Sequence, residues 1–147
     1  MSKRNRQPIF VRPATAEDVP DFIKWSVANQ GNAFDPEAGQ YLDSFTLCAF
    51  DTKGPLAYLP VQQPMFIEPM MLESLAVRPD STSVEIASAL KELIQACVTI
   101  GYMKGTGEMY FLGSNEDTNR FAENTLFEKL DMPIYRLRMS DLSKHED

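Results

Sequence analysis

The sequence predicts a mixed domain of the α/β or α+β class, on three observations. Ile86, Leu90, Leu93, Ile94, Cys97 and Val98 recur at helical spacing, with Glu85, Lys91, Glu92 and Gln95 on the opposite side. Short apolar runs such as IFVR, FTLCAF and EMYFL read as strands bounded by turn residues. Taken along the chain, the order is strand, helix, helix, three strands, helix, strand, helix, strand, which fits neither an all-α nor an all-β architecture.

Ile9 to Arg12 is the first strand. Thr15-Ala-Glu-Asp18 has the spacing of a capping box, and Val19, Phe22, Ile23 and Val27 then share a helical face. Asp35-Pro36-Glu37 starts a short second helix. Phe45 to Phe50, the turn Asp51-Thr-Lys-Gly54 and Leu56 to Val61 form a hairpin. Pro60, Pro64 and Pro69 each lack a backbone donor, so the next strand is broken or bulged until it becomes regular at Leu72. LESLAV is that strand, RPDSTS a loop, and the long helix that follows is expected to close at Gly101. Lys104-Gly-Thr-Gly107 is a loop and no dinucleotide fingerprint, because it precedes its strand. Ser114-Asn-Glu-Asp117 caps a helix expected to reach Leu130, and Ile134 to Met139 alternates like a last strand. No repeat is visible beyond VRP, which stands at 11–13 and again at 77–79.

These elements suit one domain over 9–139, between a basic tail at 1–8 and a polar tail at 140–147. A chain of 147 residues can bury ~70% of its unfolded surface. The net charge of -7 argues against nucleic acid or anionic membrane as partners, since the basic cluster Lys3, Arg4 and Arg6 sits in a polar tail. Cys48 and Cys97 have no CxxC partner and read as buried thiols in a reducing, cytoplasmic setting. A single histidine, His145, excludes a histidine triad and argues against zinc. No apolar run spans a membrane, and no signal-peptide core opens the chain.

Three patches, VRPATAEDVPDF, LESLAVRPD and TLFEKLDM, resemble segments of the GNAT superfamily of acyl-CoA-dependent N-acetyltransferases, and the likeness covers the chain from Ile9 to Met139. The resemblance implies a mostly antiparallel, twisted sheet of six to seven strands flanked by about four helices. It implies that the sheet splays open at its fourth and fifth strands, with acetyl-CoA in the cleft. The backbone of Leu75, Ala76 and Val77 would receive the pantetheine arm. The pyrophosphate would rest on a Q/R-x-x-G-x-G/A loop, which falls on Thr82, Ser83, Val84, Glu85, Ile86 and Ala87. Glu73, in the fourth strand, would be the base that acts on an acceptor amine, through water.

Two positions depart from that pattern. Glu85 stands where the loop has its first glycine, and Thr82 replaces the usual Gln or Arg. Glycine lets phosphate oxygens reach the amides; a carboxylate ~4 Å from a phosphate charge opposes them by about 4 kcal/mol at an effective dielectric near 20. Thr82-Ser-Val-Glu85 also fits a capping box, by which the helix would satisfy its own donors. The tyrosine that serves as acid in the family falls on Phe127, or on Leu126 in a register shifted by one residue, and neither carries a hydroxyl. Tyr110 and Tyr135 are possible substitutes, while Phe34, Trp25 and Tyr41 line either an acceptor site or the core.

Two functions therefore stand side by side. One is an N-acyltransferase moving an acyl group from acyl-CoA to an amine on a small molecule or protein. The other is a GNAT-like module without catalysis, as in bacteriophage or virion components, with the Met- and Pro-rich Met65 to Met71 as a surface for a protein partner or homodimer. A third, a sensor holding CoA without turnover, is weaker.

Overall fold

The computed structural model describes residues 7–30, 35–39, 42, 45–62, 70–73, 75–111, 116–125, 127–131, 135 and 137, with side chains for all of these but 30, 38, 39 and 116–118. Seven strands among them form two sheets. The first is β1 (Phe10–Pro13), β2 (Leu47–Asp51), β3 (Gly54–Leu59) and β6 (Ala76–Val77), antiparallel throughout and in that order. The second is β4 (Val61–Gln62), β5 (Met70–Leu72) and β7 (Met109–Phe111), where β5 runs antiparallel to β4 and parallel to β7. A 3₁₀ turn (Ala16–Asp18) leads into α1 (Val19–Gln30), and α2 (Pro36–Gly39), α3 (Ser83–Lys104) and α4 (Glu116–Glu123) follow.

Strand alternation sorts the core onto two faces. Leu47, Ala49, Ala57 and Leu59 pack with Ala89, Leu90, Leu93 and Cys97 of α3. Cys48, Tyr58 and Ala76 turn the other way, against Phe22 and Trp25 of α1. The first sheet is thus covered by a helix on each side. Its register shifts between Ala49 and Phe50, opposite Pro55, which brings no N–H to the ladder.

The buried face of α1 is centred on Phe22, Trp25 and Ser26, while Val27 is exposed, so the expected stripe is rotated toward Trp25. α3 does not stop at Gly101. That glycine is buried inside the last turn, and the helix ends at Gly105, whose φ of 74° is left-handed and whose N–H donates to the carbonyls of Gly101 and Tyr102. Gly105→Ala is expected to cost about 1 kcal/mol of unfolding free energy, purely through its backbone conformation, since an added Cβ meets nothing. Gly101→Ala should be neutral or stabilising, because its Cβ makes only ordinary contacts of 3.6 Å with Met70 Sδ and the Thr106 carbonyl. Urea titration of both variants checks the pair.

α4 is shorter than expected. Asn124 N–H and Thr125 N–H donate to the carbonyls of Arg120 and Ala122, and Thr125 Oγ1 also donates to Ala122, tightening the final turn. Phe127 and Leu130 therefore lie outside any helix. The expected last strand, the cap at Ser114, Phe34, Tyr41, Leu126, Met65 to Pro69 and both tails lie outside the described residues, apart from Gln7 and Pro8 of the first tail and from Tyr135 and Leu137, which are not in strand.

Candidate functional site

LESLAV is not one strand. It breaks after Leu72 and resumes at Ala76, so its two halves belong to different sheets. The cause is a β-bulge. Tyr58 pairs with Ala76 and Val61 with Leu72, so three steps on one strand face four on the other, and the extra residue falls within 73–75. Pro60 sits across from it, accepting from Glu73 N–H at 2.9 Å. The bulge re-aims the chain: β5 stays with β7, while β6 stays with β3.

The ladder then fixes which way β6 presents its polar groups. Arg78 N–H donates to the Leu56 carbonyl at 2.8 Å, so Ala76 and Arg78 face β3. By the alternation of an antiparallel pair, the N–H and C=O of Val77 point to the opposite side, where nothing among the described residues pairs with them. Leu75 and Ala76 are buried and Val77 half-buried, giving this edge an apolar footing.

Glu73 sits in the bulge itself, half-buried. Its Oε2 accepts from Gln62 Nε2 at 2.9 Å, so its partner among the described residues is an amide. Beyond β6 the chain is tied internally. Arg78 donates in fork geometry to both oxygens of Asp51, at 3.2 and 2.8 Å, and also to the Pro55 carbonyl. That pairing holds the Asp51 carboxyl below its usual range. Asp80 adopts a φ of 64°, a left-handed turn that aspartate tolerates, and Ser81 Oγ donates to the Arg78 carbonyl at 2.7 Å.

At the start of α3 the capping box is closed. Thr82 N–H donates to Glu85 Oε1 at 3.0 Å, and Glu85 N–H donates to Thr82 Oγ1 at 3.1 Å. Glu85 Oε2 lies 3.7 Å from Arg78 Nη2. These contacts, the Thr82 amide first, keep the Glu85 carboxyl ionised below its ordinary range. Thr82, Ser83, Val84 and Ala87 are all exposed.

The remaining candidates separate. Phe127 packs on Phe111, with ring centroids 5.7 Å apart, and is a packing residue as placed. Tyr110 donates to Glu108 at 3.0 Å, and Tyr135 is 90% exposed. Trp25 is core, 5.3 Å from the Tyr58 ring. Met70, at the end of the expected partner surface, is buried, because β5 lies between β4 and β7. An open groove of about 260 Å³ beside Ile9, Val11 and Gln95 lies at β1, the opposite edge of the first sheet from β6. Among the described residues no cluster of metal-ligating side chains occurs, and no helix is long and apolar enough to cross a membrane.

Sequence reasoning missed a buried cluster at the start of α1. Asp18 accepts from Arg12 at 2.8 and 2.9 Å, from Thr15 N–H at 2.7 Å and from Tyr58 Oη at 2.9 Å. The Arg12 guanidinium above all holds this carboxyl far below the usual range, and burial and Asp18 push the Tyr58 hydroxyl well above its own. The signal was in the sequence: both copies of VRP place an arginine in a bidentate pair with an aspartate, Arg12 with Asp18 and Arg78 with Asp51.

This arrangement of two sheets and flanking helices is similar to the fold of solved GNAT N-acetyltransferases. A ribosomal-protein-alanine N-acetyltransferase from Brucella melitensis biovar Abortus 2308 is similar at a TM-score of 0.69 and 15% identity, over 90% of this chain and 99% of that one. The aminoglycoside 6'-N-acetyltransferase AAC(6')-Ih from Acinetobacter baumannii gives 0.65 and 14%, over 89% and 98%. Aminoglycoside N-acetyltransferase AAC(6')-Iy, in complex with CoA, gives 0.66 and 15%, over 92% and 97%. No protein-family model matches the sequence, and no curated protein matches it.

Proposed function

We propose that this chain is an N-acyltransferase that takes an acyl group from a pantetheine thioester such as acetyl-CoA and passes it to a primary amine. The observation that carries the reading is the bulge at 73–75, beyond which the polar groups of Val77 face away from β3, on an apolar edge, with no partner among the described residues. An arm with amide groups can lie along such an edge as an added strand. Glu73 is then the base. The amine nitrogen attacks the thioester carbonyl, the C–N bond forms as the C–S bond breaks, the amine proton passes through water to Glu73, and solvent protonates the leaving thiolate. The likeness to acetyltransferases that act on aminoglycosides and on ribosomal-protein alanine supports an amine acceptor on a small molecule or a protein.

The competing reading is a module of this fold that binds a partner without turnover. Its specific support is Phe127, which packs on Phe111 at the position where an acid is expected. Thiol release separates the two. Purified protein is given acetyl-CoA or S-acetylpantetheine with a panel of aminoglycosides, polyamines and alanine-ended peptides. Cys48 and Cys97 are buried, and burial pushes their thiols up to about 11 and about 12, so they add little to the readout. Amine-dependent thiol release above buffer is expected. None with any pair would leave the binding module standing.

A further inference from the structure

The two halves of the candidate cleft disagree about what they can hold. Along β6, the N–H and C=O of Val77 point away from β3, and nothing among the described residues pairs with them. At the start of α3, where a nucleotide's pyrophosphate would need amides, two of them are already taken by the Thr82–Glu85 box. The described cation nearest Glu85 is engaged as well. Arg78 is committed to Asp51 and the Pro55 carbonyl and lies 3.7 Å from Glu85 Oε2. A pyrophosphate would bring negative charge directly beside the Glu85 carboxylate, where Arg78 is already paired.

We propose that the donor this chain selects is a pantetheine thioester without adenosine diphosphate: the acyl-pantetheine arm lies along β6 and the N-terminus of α3 takes no pyrophosphate. The proposal rests on the acyltransferase reading above and narrows its donor. Glu85 is the residue that sets the selectivity. Its own capping contacts hold it in place, so the cost of excluding the nucleotide is already met in the free protein. Such an arm can arrive free or on a carrier protein.

The test is calorimetric titration of thiol-ligand-stripped protein with acetyl-CoA, with S-acetylpantetheine, and with an acetylated phosphopantetheinyl carrier protein. Acetyl-CoA is expected to bind more weakly than S-acetylpantetheine, or at most within about twofold of it. Tighter binding of the carrier-borne arm would identify a carrier protein as the source; equal or weaker binding, the free arm; both uphold the proposal. Glu85→Gln keeps the box, since glutamine can fold back as glutamate does, and removes the charge. It should tighten acetyl-CoA by about tenfold and leave S-acetylpantetheine within about twofold, with an unchanged melting curve verifying the fold. A wild-type preference for acetyl-CoA beyond about twofold, or no change on Glu85→Gln, overturns the donor proposal alone. No heat from any thioester overturns the acyltransferase reading and this proposal with it.

Discussion

Asp18→Ala is expected to destabilise the protein by about 3 kcal/mol and to lower its melting temperature by about 10 °C. The carboxylate is nearly inaccessible and takes hydrogen bonds from Arg12, Thr15 and Tyr58 at once. Removing it leaves the Tyr58 hydroxyl buried without a partner and the Arg12 charge uncompensated. Breaking a buried pair can cost 3–5 kcal/mol, and the low end of that rough range applies because Arg12 keeps about a third of its side chain in water. Tyr58→Phe removes one bond while Asp18 keeps its others, so about 1 kcal/mol is expected. The pH dependence follows from the lowered carboxyl. Its stabilisation is complete above the unfolded carboxyl pKa of about 3.9 and drains away as pH falls through the lower folded value. Urea titrations at neutral pH and in acid should therefore show a large gap between wild type and Asp18→Ala that narrows in acid. A gap below about 1 kcal/mol at neutral pH would mean that the cluster is cosmetic.

That cluster also shows where sequence reading stopped. Thr15 and Asp18 were visible as a capping box because the pattern is local, and the bond from Thr15 N–H to Asp18 is present. Tyr58 lies 40 residues away, and only the folded sheet brings its hydroxyl to Asp18. The repeated VRP was legible as letters, but its meaning depended on which aspartate each arginine would meet. Arg12 finds one six residues on; Arg78 finds Asp51 across the sheet, 27 residues back. The helices were readable by periodicity, yet Gly101 misled, because a small residue buried against Met70 looks in sequence like a terminator.

The candidate site divides in the same way. The Thr82–Glu85 box could be read directly, since capping is local and both bonds form as the spacing suggests. The bulge could not. Three prolines upstream of Leu72 pointed to a break before that residue, whereas the extra residue lies after it, at 73–75. Register between two strands is a property of both, and Pro60 on the partner strand decides it as much as anything in LESLAV. This matters for the proposed function, because beyond the bulge the polar groups of Val77 find no partner among the described residues, and Glu73 is taken out of regular alternation.

Glu73→Gln is the second large effect, and it falls on rate. If Glu73 accepts the amine proton, the amide cannot, and kcat should fall by about 10²–10⁴-fold. The KM for the thioester should change little, because the arm is bound by backbone groups and apolar contacts that the substitution leaves alone. Stability should also hold, since Glu73 is half-buried and its described side-chain partner, Gln62, can donate equally well to a glutamine carbonyl. Gln62→Ala supplies the contrast: it frees the carboxylate without removing it, so a drop far smaller than that of Glu73→Gln is expected. The split between kcat and KM makes the result informative, because a merely structural residue would move both together or move the melting temperature. Were Glu73→Gln to keep kcat within about threefold of wild type, the proton would have to leave by another route, and the bulge would be a device for holding the thioester arm and nothing more.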